Sequence, residues 1–456
     1  MNRTLVFLIY NLLLPIVLLL GFPRFVMKGL QRGGLARNFR QRLGIYRPEV
    51  KEKFSRPGNY WIHAVSVGEV FIALKIIREL RRERPEAGIV LSTTTTTGFR
   101  LAEEKTAPDR EHVTVIHNPV DLPWITASAL RRIRPERLIL VEAEVWPNLV
   151  RQAKKRGIPV VLVNARLSDR SERRFRKFAA LTQPVFSMLD CVGAPFEIDV
   201  DRWAGLGIPL DRISLTGSVK FDEARTEKPT DQIRELREWL QANGFPEGGR
   251  LLLAGSTHAG EELLLGRALL QLRERFPDLH YVVVPRHAER AGQVIADLTE
   301  AGFAPVLRKP LGTDSAAPAP ENSDSESPGL PCWIANTTGE LAAWYFLADF
   351  VVVGKSLRGR GGQNPVEPVV AGKPTVVGPY MQNFRPIVAD LVQSGGLIQL
   401  EDDTETSLIR SLEHLLCDPN AAQRLASQGA ASLARHEGAA TRTVDLILGA
   451  RAHSEP

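Results

Sequence analysis

The stretch that decides the fold is YWIHAVSVGEV, residues 60–70. Residues 60–65 are an apolar run suited to a buried strand, residues 66–69 predict a tight turn, and residues 70–84 carry apolar side chains at helical spacing. The pattern places Glu69 at a helix start, where free amides and the helix dipole would hold its carboxylate ionised, as a general base must be. The same acid would also stabilise a helix that has no catalytic role, so both interpretations stay open here.

The pattern of strand followed by helix repeats along most of the chain. Further strands are predicted at 88–92, 113–116, 138–141, 160–163, 191–193, 251–254, 281–284, 332–335, 350–353 and 375–377. Helices are predicted between them at 98–104, 124–133, 146–156, 170–189, 261–276, 288–301, 339–347 and 365–371, and the tail after residue 408 is mostly helical. Such alternation is typical of α/β domains with parallel sheets. We therefore expect two doubly wound domains with a cleft between them.

Composition and pattern together divide the chain into segments. We expect a membrane anchor at 1–23, a basic juxtamembrane segment at 24–57, a first Rossmann-like domain at 58–225, a linker at 226–232 and a second domain at 233–456. The final helices could return to the first domain. Residues 313–328, rich in Ser, Asp, Pro and Ala, predict a surface insertion whose acidic residues favour solubility over metal binding.

The first segment contains the charge-free run TLVFLIYNLLLPIVLLLGF at 4–22, which is just long enough to cross a bilayer. Basic residues follow it directly, which by the positive-inside rule keeps that flank and the rest of the chain cytoplasmic: Arg24, Lys28, Arg32, Arg37, Arg40 and Arg42. A cleaved signal peptide is disfavoured because the basic residues come after the apolar run and no A-x-A-like site is present. A helix lying in the membrane interface is the other alternative.

The bulk numbers restrict the class of protein. The chain has 456 residues and a net charge of +6, which suits anionic partners such as lipid head groups or nucleotides. The three cysteines, Cys191, Cys332 and Cys417, are far apart, which disfavours a zinc site and a disulfide framework. Nucleic-acid binding is also disfavoured, since no recognised module or aromatic stacking platform is present.

Glycine-rich and polar turns follow several strands of the second domain. Residues 354–368, GKSLRGRGGQNPVEP, place Gly362 before a helix start that would offer free amides to a phosphate, and Glu367 could accept from ribose hydroxyls. A flexible Gly-Arg surface loop is the alternative. The turns AGSTHAGEE at 254–262, VPRHAER at 284–290 and NTTGE at 336–340 would share one anionic ligand.

In the first domain, VEAEVWPNLV at 141–150 places Glu142 and Glu144 at a strand end, where they could face a cleft or cap the next helix. The threonine run 93–97 could donate hydroxyls to a substrate or supply a helix cap.

Together these blocks closely resemble the 3-deoxy-D-manno-octulosonic acid (Kdo) transferases, which add Kdo to lipid A precursors in lipopolysaccharide biosynthesis. The resemblance runs from the N-terminal anchor to about Phe384 and rests on HAVSVGEV, STTTTTG, EAEVWPNL, NARLSDRS, GSVKFD, AGSTHAGEE, VPRHAER, TGEL, GGQNPVEP and GPYMQNF. It implies a GT-B glycosyltransferase fold, a CMP-Kdo donor, a lipid acceptor, no metal and no cofactor. It also implies an anchor in the inner membrane with the catalytic domains on the cytoplasmic side.

The resemblance also implies roles for individual residues. The general base maps onto Glu69. Acceptor-binding positions map onto Ser66, Gly68, Thr95, Glu142, Glu144 and Arg166. Donor-binding positions map onto Lys220, Ser256, Thr257, His258, Arg286, Asn364 and Glu367, to which the glycine-rich turn adds Gly362.

The chain departs from the family's usual pattern at five positions, which bear on the acceptor and on activity: Ala143, Ser218, Asn336, Gln363 and Tyr380. Gln363 can still donate a hydrogen bond but can neither take a proton nor carry charge. Two other classes therefore stay open, namely a membrane-bound protein that binds nucleotide or lipid without transfer, and a GT-B transferase that uses another nucleotide sugar. The sequence does not give the number of Kdo units added or the oligomeric state.

Overall fold

The structure, a computed structural model, describes residues 2–31 (21–31 by their backbone alone), 39–54, 58–222, 228–308 and 329–451. The predicted insertion at 313–328 lies outside the described residues, as do residues 32–38 and 55–57 of the basic segment and residues 226–227 of the linker. Two compact units form, which we call the first unit (Met1–Asp222 with His436–Pro456) and the second unit (Glu223–Arg435).

The first unit is built on a parallel sheet of seven strands in the order β3-β2-β1-β4-β5-β6-β7. The central strands are buried along their whole length, as expected for a parallel sheet covered on both faces. The strands are β1 (Tyr60–His63), β2 (Ile89–Thr93), β3 (Val113–His117), β4 (Arg137–Val141), β5 (Val160–Val163), β6 (Cys191–Ala194) and β7 (Ile213–Leu215).

The helices of the first unit connect these strands or precede them. They are α1 (Arg3–Gln31), α2 (Phe39–Arg42), α3 (Pro48–Lys53), α4 (Val67–Glu83), α5 (Thr96–Lys105), α6 (Pro123–Ile133), α7 (Pro147–Lys154), α8 (Asp169–Lys177), α9 (Ala179–Phe186) and α10 (Glu197–Gly205). Among the described residues, α1 is the one helix long and apolar enough to cross a membrane by length and composition.

The second unit contains another parallel seven-stranded sheet, in the order β10-β11-β9-β8-β12-β13-β14. Its strands are β8 (Arg250–Thr257), β9 (Leu279–Pro285), β10 (Phe303–Arg308), β11 (Leu330–Ala335), β12 (Phe350–Val353), β13 (Thr375–Val377) and β14 (Ile398–Gln399). Its helices are α11 (Thr230–Ala242), α12 (Glu261–Arg273), α13 (Ala291–Glu300), α14 (Leu341–Leu347), α15 (Val366–Val370), α16 (Arg385–Gln393), α17 (Glu405–Cys417) and α18 (Pro419–Ala434).

The last helix, α19 (Ala439–Gly449), belongs to the first unit. The carboxylate of Asp222 accepts hydrogen bonds from the N–H groups of Ala439 (2.8 Å) and Ala440 (2.9 Å) at its start. Near its other end, the guanidinium of Arg137 donates to the carbonyl oxygens of Ile447 and Leu448. These contacts bind both ends of α19 to the first unit.

The predicted fold class, two Rossmann-like α/β domains, is confirmed. Several boundaries differ from the prediction. Helix α4 begins at Val67, three residues before the helical stretch predicted from residue 70, because Ser66 caps it. The single helix predicted at 170–189 is two helices, α8 and α9, and α11 takes in residues 230–232 of the predicted linker.

Candidate active site

In each sheet the strand order changes direction beside the first strand of that sheet, and ligand sites in open α/β sheets lie beyond the carboxyl ends of the strands at such a point. In the first unit this place is between β1 and β4, which lead into Ser66–Glu69 and into Glu142. In the second unit it is between β8 and β12, which lead into His258 and into the glycine-rich turn after Val353. The topology therefore selects the same turns as the sequence motifs do.

Glu69 lies in the first turn of α4 and is held there by the turn itself. Its Oε2 accepts a hydrogen bond from the N–H of Val65 (2.7 Å), and its Oε1 accepts one from the hydroxyl of Ser66 (2.7 Å). The Ser66 oxygen in turn accepts the N–H of Glu69, so the pair forms a variant of the capping box. Both sequence interpretations of Glu69 thus meet in one geometry, because capping fixes the carboxylate in a defined orientation.

Two more carboxylates lie within reach of the charge on Glu69. Burial, reinforced by the negative charge of Glu69, raises the pKa of Glu144 to about 7. The same two causes raise the pKa of Glu142, while Arg166 and Lys220 act in the opposite direction. The first unit therefore concentrates three acids, at least one of which exchanges its proton near neutral pH.

Lys220 and Arg166 supply the positive charge of this cluster. Burial and the neighbouring Arg166 lower the pKa of Lys220, and Glu142 partly restores it. Lys220 was predicted to bind the donor, and the structure places it in the first unit beside Glu142, with its Nζ 5.7 Å from the ring centroid of Phe221.

Thr95 and Gly68 complete the predicted acceptor positions. Thr95 caps α5, accepting from the N–H of Gly98 (3.1 Å), and its hydroxyl donates to the carbonyl of Val65 (3.1 Å). Of the two roles predicted for the threonine run, the structure shows the helix cap for Thr95. Thr95 also lies against the turn that holds Glu69. Gly68 is exposed, and a Cβ built on it would meet only the Ser66 oxygen, at 3.9 Å.

In the second unit the organising residue is Glu261, which is fully buried at the start of α12. Its Oε2 accepts the N–H groups of His258 (2.9 Å) and Lys355 (2.7 Å). Its Oε1 accepts the N–H groups of Leu357 (2.9 Å) and Arg358 (3.3 Å). One carboxylate thus joins the turn after β8 to the turn after β12.

This arrangement corrects one expectation. The helix starts near His258 and after Gly362 were predicted to offer free amides to a phosphate, but the amide of His258 is already bonded to Glu261, as are those of Lys355, Leu357 and Arg358. The amide of Val366, at the start of α15, is likewise bonded to the side-chain oxygen of Asn364 (3.1 Å). These five amides are therefore not available to an anion.

The glycine-rich turn is packed closely against its neighbours. Gly362 has a φ of +74°, and a Cβ on it would lie 2.3 Å from the Met381 sulfur, so the position requires glycine. The Nδ2 group of Asn364 donates to Glu367 Oε1 (2.9 Å), which orients two predicted donor residues on each other.

The remaining predicted donor residues differ in accessibility. Ser256 adopts a left-handed conformation (φ +56°), and Thr257 has no exposed surface, so a donor contact from its hydroxyl would require the turn to open. Burial lowers the pKa of His258, which is therefore neutral at pH 7. Arg286 is exposed at the end of β9.

Sequence reasoning missed two residues of the second site. The role of Glu261 was hidden because its partners lie up to 97 residues away, although its position in AGSTHAGEE was a signal. Tyr345 was not singled out at all. Tyr345 is buried in α14. Burial and the charge of Glu367 raise the pKa of its hydroxyl, while Arg286 lowers it. The hydroxyl also lies close to Gly255, where an added Cβ would be 3.1 Å from it. The hydroxyl of Tyr345 thus lies within reach of the charges of both Glu367 and Arg286.

Comparison with known proteins extends these observations. Residues 37–223 match a family model described as 3-deoxy-D-manno-octulosonic-acid transferase (kdotransferase). The 3-deoxy-D-manno-octulosonic acid transferase of Haemophilus influenzae is 31% identical over 411 residues, covering 88% of this chain and 91% of that protein. The protein of the same name from Bordetella pertussis is 32% identical over 393 residues, covering 85% and 86%.

A solved structure, UDP-GlcNAc 2-epimerase from Neisseria meningitidis bound to UDP-GlcNAc, matches with a TM-score of 0.53. It is 14% identical and covers 86% of this chain and 99% of that one, a likeness that shows the fold alone. The sequence matches go further, since they extend over most of both proteins at identities above 30%. The chain therefore belongs to the 3-deoxy-D-manno-octulosonic acid transferase family.

Proposed function

We propose that the protein is an inverting, metal-independent glycosyltransferase that moves Kdo from CMP-Kdo to a hydroxyl of a lipid A precursor, lipid IVA, in lipopolysaccharide biosynthesis. The observation that carries the proposal is the oriented carboxylate of Glu69 at the switch point of the first sheet, in a chain of this family. We further propose that it acts at the inner membrane, attached by α1, with its catalytic units on the cytoplasmic side.

In the proposed reaction Glu69 takes the proton of the acceptor hydroxyl. Its two oxygens each accept one hydrogen bond from the turn and keep a further lone pair for that proton. The acceptor oxygen forms a bond to the anomeric carbon of Kdo while the bond from that carbon to the CMP phosphate oxygen breaks, and CMP leaves with the electron pair. Attack on the face opposite to CMP inverts the anomeric centre.

The surroundings of Glu69 suit an acceptor that is a lipid. Val67 and Phe71, in the same first turns of α4, are 39% and 49% exposed although both are apolar. Apolar side chains beside a carboxylate cluster favour a ligand that combines a sugar with hydrocarbon.

On the donor side, negative charge builds on the leaving phosphate. Because Glu261 occupies four amides of the turns, we assign this charge chiefly to the cations Arg286 and Lys355, and the neutral His258 would serve as a hydrogen-bonding group. We assign no step to a metal or to a cofactor, CMP-Kdo being a substrate.

The test is transfer by a Glu69→Gln variant, followed as the mass of the lipid product from CMP-Kdo and lipid IVA. The variant should keep donor binding and lose transfer by on the order of 10²–10⁴-fold, the usual contribution of a general base. Glu83→Gln, on the exposed end of the same helix, is the matched control and should transfer normally. Normal transfer by Glu69→Gln would refute the assignment of the base.

The unaltered protein tests the two alternatives. If it binds CMP but yields no product, it is a binding protein and the proposed transfer is refuted. A thermal shift with UDP or GDP larger than that with CMP would instead point to another nucleotide sugar.

A further inference from the structure

The N-terminal helix α1 does not stand clear of the first unit. Val6 and Phe7 are 3% and 1% exposed and belong to its hydrophobic core, and the guanidinium of Arg151 lies 4.4 Å from the centroid of the Phe7 ring. One turn later, the hydroxyl of Tyr10 donates to Asp121 Oδ2 (2.9 Å). Next to it the side-chain amides of Asn11 and Asn148 bond each other, at 2.7 Å from the Asn148 nitrogen to the Asn11 oxygen.

These contacts lie on one face of the helix. The docked residues follow helical spacing up to Leu14, whereas the other face carries exposed apolar side chains. Of the nineteen large apolar side chains that are exposed in the described part of the chain, nine are on this helix: Leu5, Leu8, Leu12, Leu13, Ile16, Val17, Leu18, Leu19 and Leu20.

The docked face leaves too little helix to cross a bilayer. From Pro15 the side chains are exposed as far as they are described, and the charge-free run ends before Arg24. The residues between these two positions would rise about 14 Å at 1.5 Å each, against a hydrocarbon core of about 30 Å. If α1 crossed the bilayer, its first turns would have to leave the hydrophobic core of the first unit, and the hydrogen bonds between Tyr10 and Asp121 and between Asn11 and Asn148 would break.

We infer that α1 lies in the membrane interface, docked on the first unit by Tyr10 and Asn11 and inserted into one leaflet by its opposite face, and that it does not cross the bilayer. This inference rests on the membrane attachment proposed above but not on the transfer chemistry. It replaces the single-pass anchor expected from the sequence.

Other exposed side chains extend this surface. Trp124, 65% exposed, follows Asp121 at the start of α6. Leu43 and Ile45, 40% and 52% exposed, are held beside α6, since the N–H of Val120 donates to the carbonyl of Arg42 (2.8 Å) and Gly44 packs on Ile125. The exposed cations Arg40 and Arg47 flank that segment. Leucines, a tryptophan and neighbouring cations match the interface of an anionic bilayer.

The decisive experiment measures on which side of the membrane position 2 lies. The full chain carries Asn2→Cys together with Cys191→Ser, and the native Cys417, which is exposed, reports the side of the folded units. Sealed inside-out inner-membrane vesicles are treated with a membrane-impermeant maleimide, and the two positions are compared by peptide mass. We expect equal labelling of both without detergent.

If position 2 is labelled only after detergent has opened the vesicles, the helix crosses the membrane and the inference is overturned. Recovery of the chain in the soluble fraction would overturn it too, by removing the membrane attachment. Neither result concerns transfer, so failure here is distinct from failure of the proposed activity.

A matched pair of variants tests the surface itself. Leu8 and Leu210 are both 65% exposed on the first unit, but Leu210 lies directly before the edge strand β7 and belongs neither to α1 nor to the segments that extend its surface. Leu8→Glu should weaken co-sedimentation with phosphatidylglycerol-containing vesicles, whereas Leu210→Glu should leave it unchanged. Equal binding by the two variants would contradict insertion of this face.

Discussion

Replacing Glu261 by Gln should disrupt the second unit at the point where its two ligand turns meet. The carboxylate accepts four backbone N–H groups, two on each oxygen, at 2.7–3.3 Å. A glutamine amide has one acceptor oxygen and one NH₂ group, so two of those four N–H groups lose their acceptor and face another donor, whichever way the amide is turned.

The magnitude follows from the burial of the site. Glu261 is 0% exposed, so water cannot replace the lost acceptor. Each buried N–H without a partner costs about 1–3 kcal/mol, which gives about 2–6 kcal/mol for the two. Native domains are stable by about 5–15 kcal/mol, so the second unit should be close to unfolding.

The assay is denaturant unfolding of the full chain, with hydrogen exchange to separate the two units and CMP titration to follow the site. We expect a lower unfolding midpoint for the second unit, faster exchange in the turns after β8 and β12, and at least a tenfold loss of CMP affinity, equivalent to about 1.4 kcal/mol. Glu274→Gln, exposed at the other end of the same helix, should change stability by no more than about 0.5 kcal/mol. Parental stability and CMP affinity in Glu261→Gln would refute the role assigned to this carboxylate.

Four further variants test individual contacts. Gly68→Ala should fold with unchanged or slightly higher stability, since alanine favours a helix over glycine by up to about 1 kcal/mol. It should nevertheless lose transfer if the acceptor approaches this backbone, and unchanged transfer would exclude that approach. Glu69→Gln should lower the pKa of Glu144 from about 7 in an NMR titration, because a like charge is removed, and an unchanged pKa would mean that burial alone raises it. Glu144→Gln should abolish the fall in stability that ionisation of this group causes as pH rises from about 4.5 to about 7, because glutamine stays neutral. An unfolding midpoint that keeps the parental slope against pH would contradict the raised pKa. Gly362→Ala should cost more stability than Gly372→Ala, since both have positive φ but only the former would meet a methionine sulfur at 2.3 Å, and equal thermal shifts would contradict that contact.

Much of the fold was predictable because the central strands are buried on both faces. Such strands read as unbroken apolar runs, which is why β5, β12 and β13 were predicted to the residue. Strands β7 and β14 were missed because they are short edge strands with half-exposed side chains, and β10 because Pro305 interrupts its pattern.

The candidate site was predictable as far as local sequence determines it. Ser66 and Glu69 are three residues apart, and their capping contact follows from that spacing. By contrast, the four amides that Glu261 accepts come from two turns nearly a hundred residues apart, and Lys220 meets Glu142 through the tertiary fold. The spacing of residues along the chain identified the turns, but it could not predict which hydrogen-bond donor pairs with which acceptor.

Backbone strain gives an argument for these sites that is independent of the family. Five non-glycine residues with positive φ occur in the described part of the chain, and Arg134, at a helix end, is one of them. The other four, at the carboxyl ends of β4, β5, β8 and β12, are Glu142, Asn164, Ser256 and Lys355.

A left-handed residue other than glycine costs roughly 1–2 kcal/mol, which glycine would avoid. At Asn164 the structure shows what the side chain provides in return, since its oxygen accepts the N–H of Val219 (3.1 Å), next to Lys220. By the same reasoning we propose that Glu142 and Lys355 occupy strained positions for the sake of their charges, because a turn alone would be more stable with glycine. These two residues lie at the switch points of the two sheets and carry opposite charges. Such strained, charged positions are what we expect of sites that bind and react with charged groups.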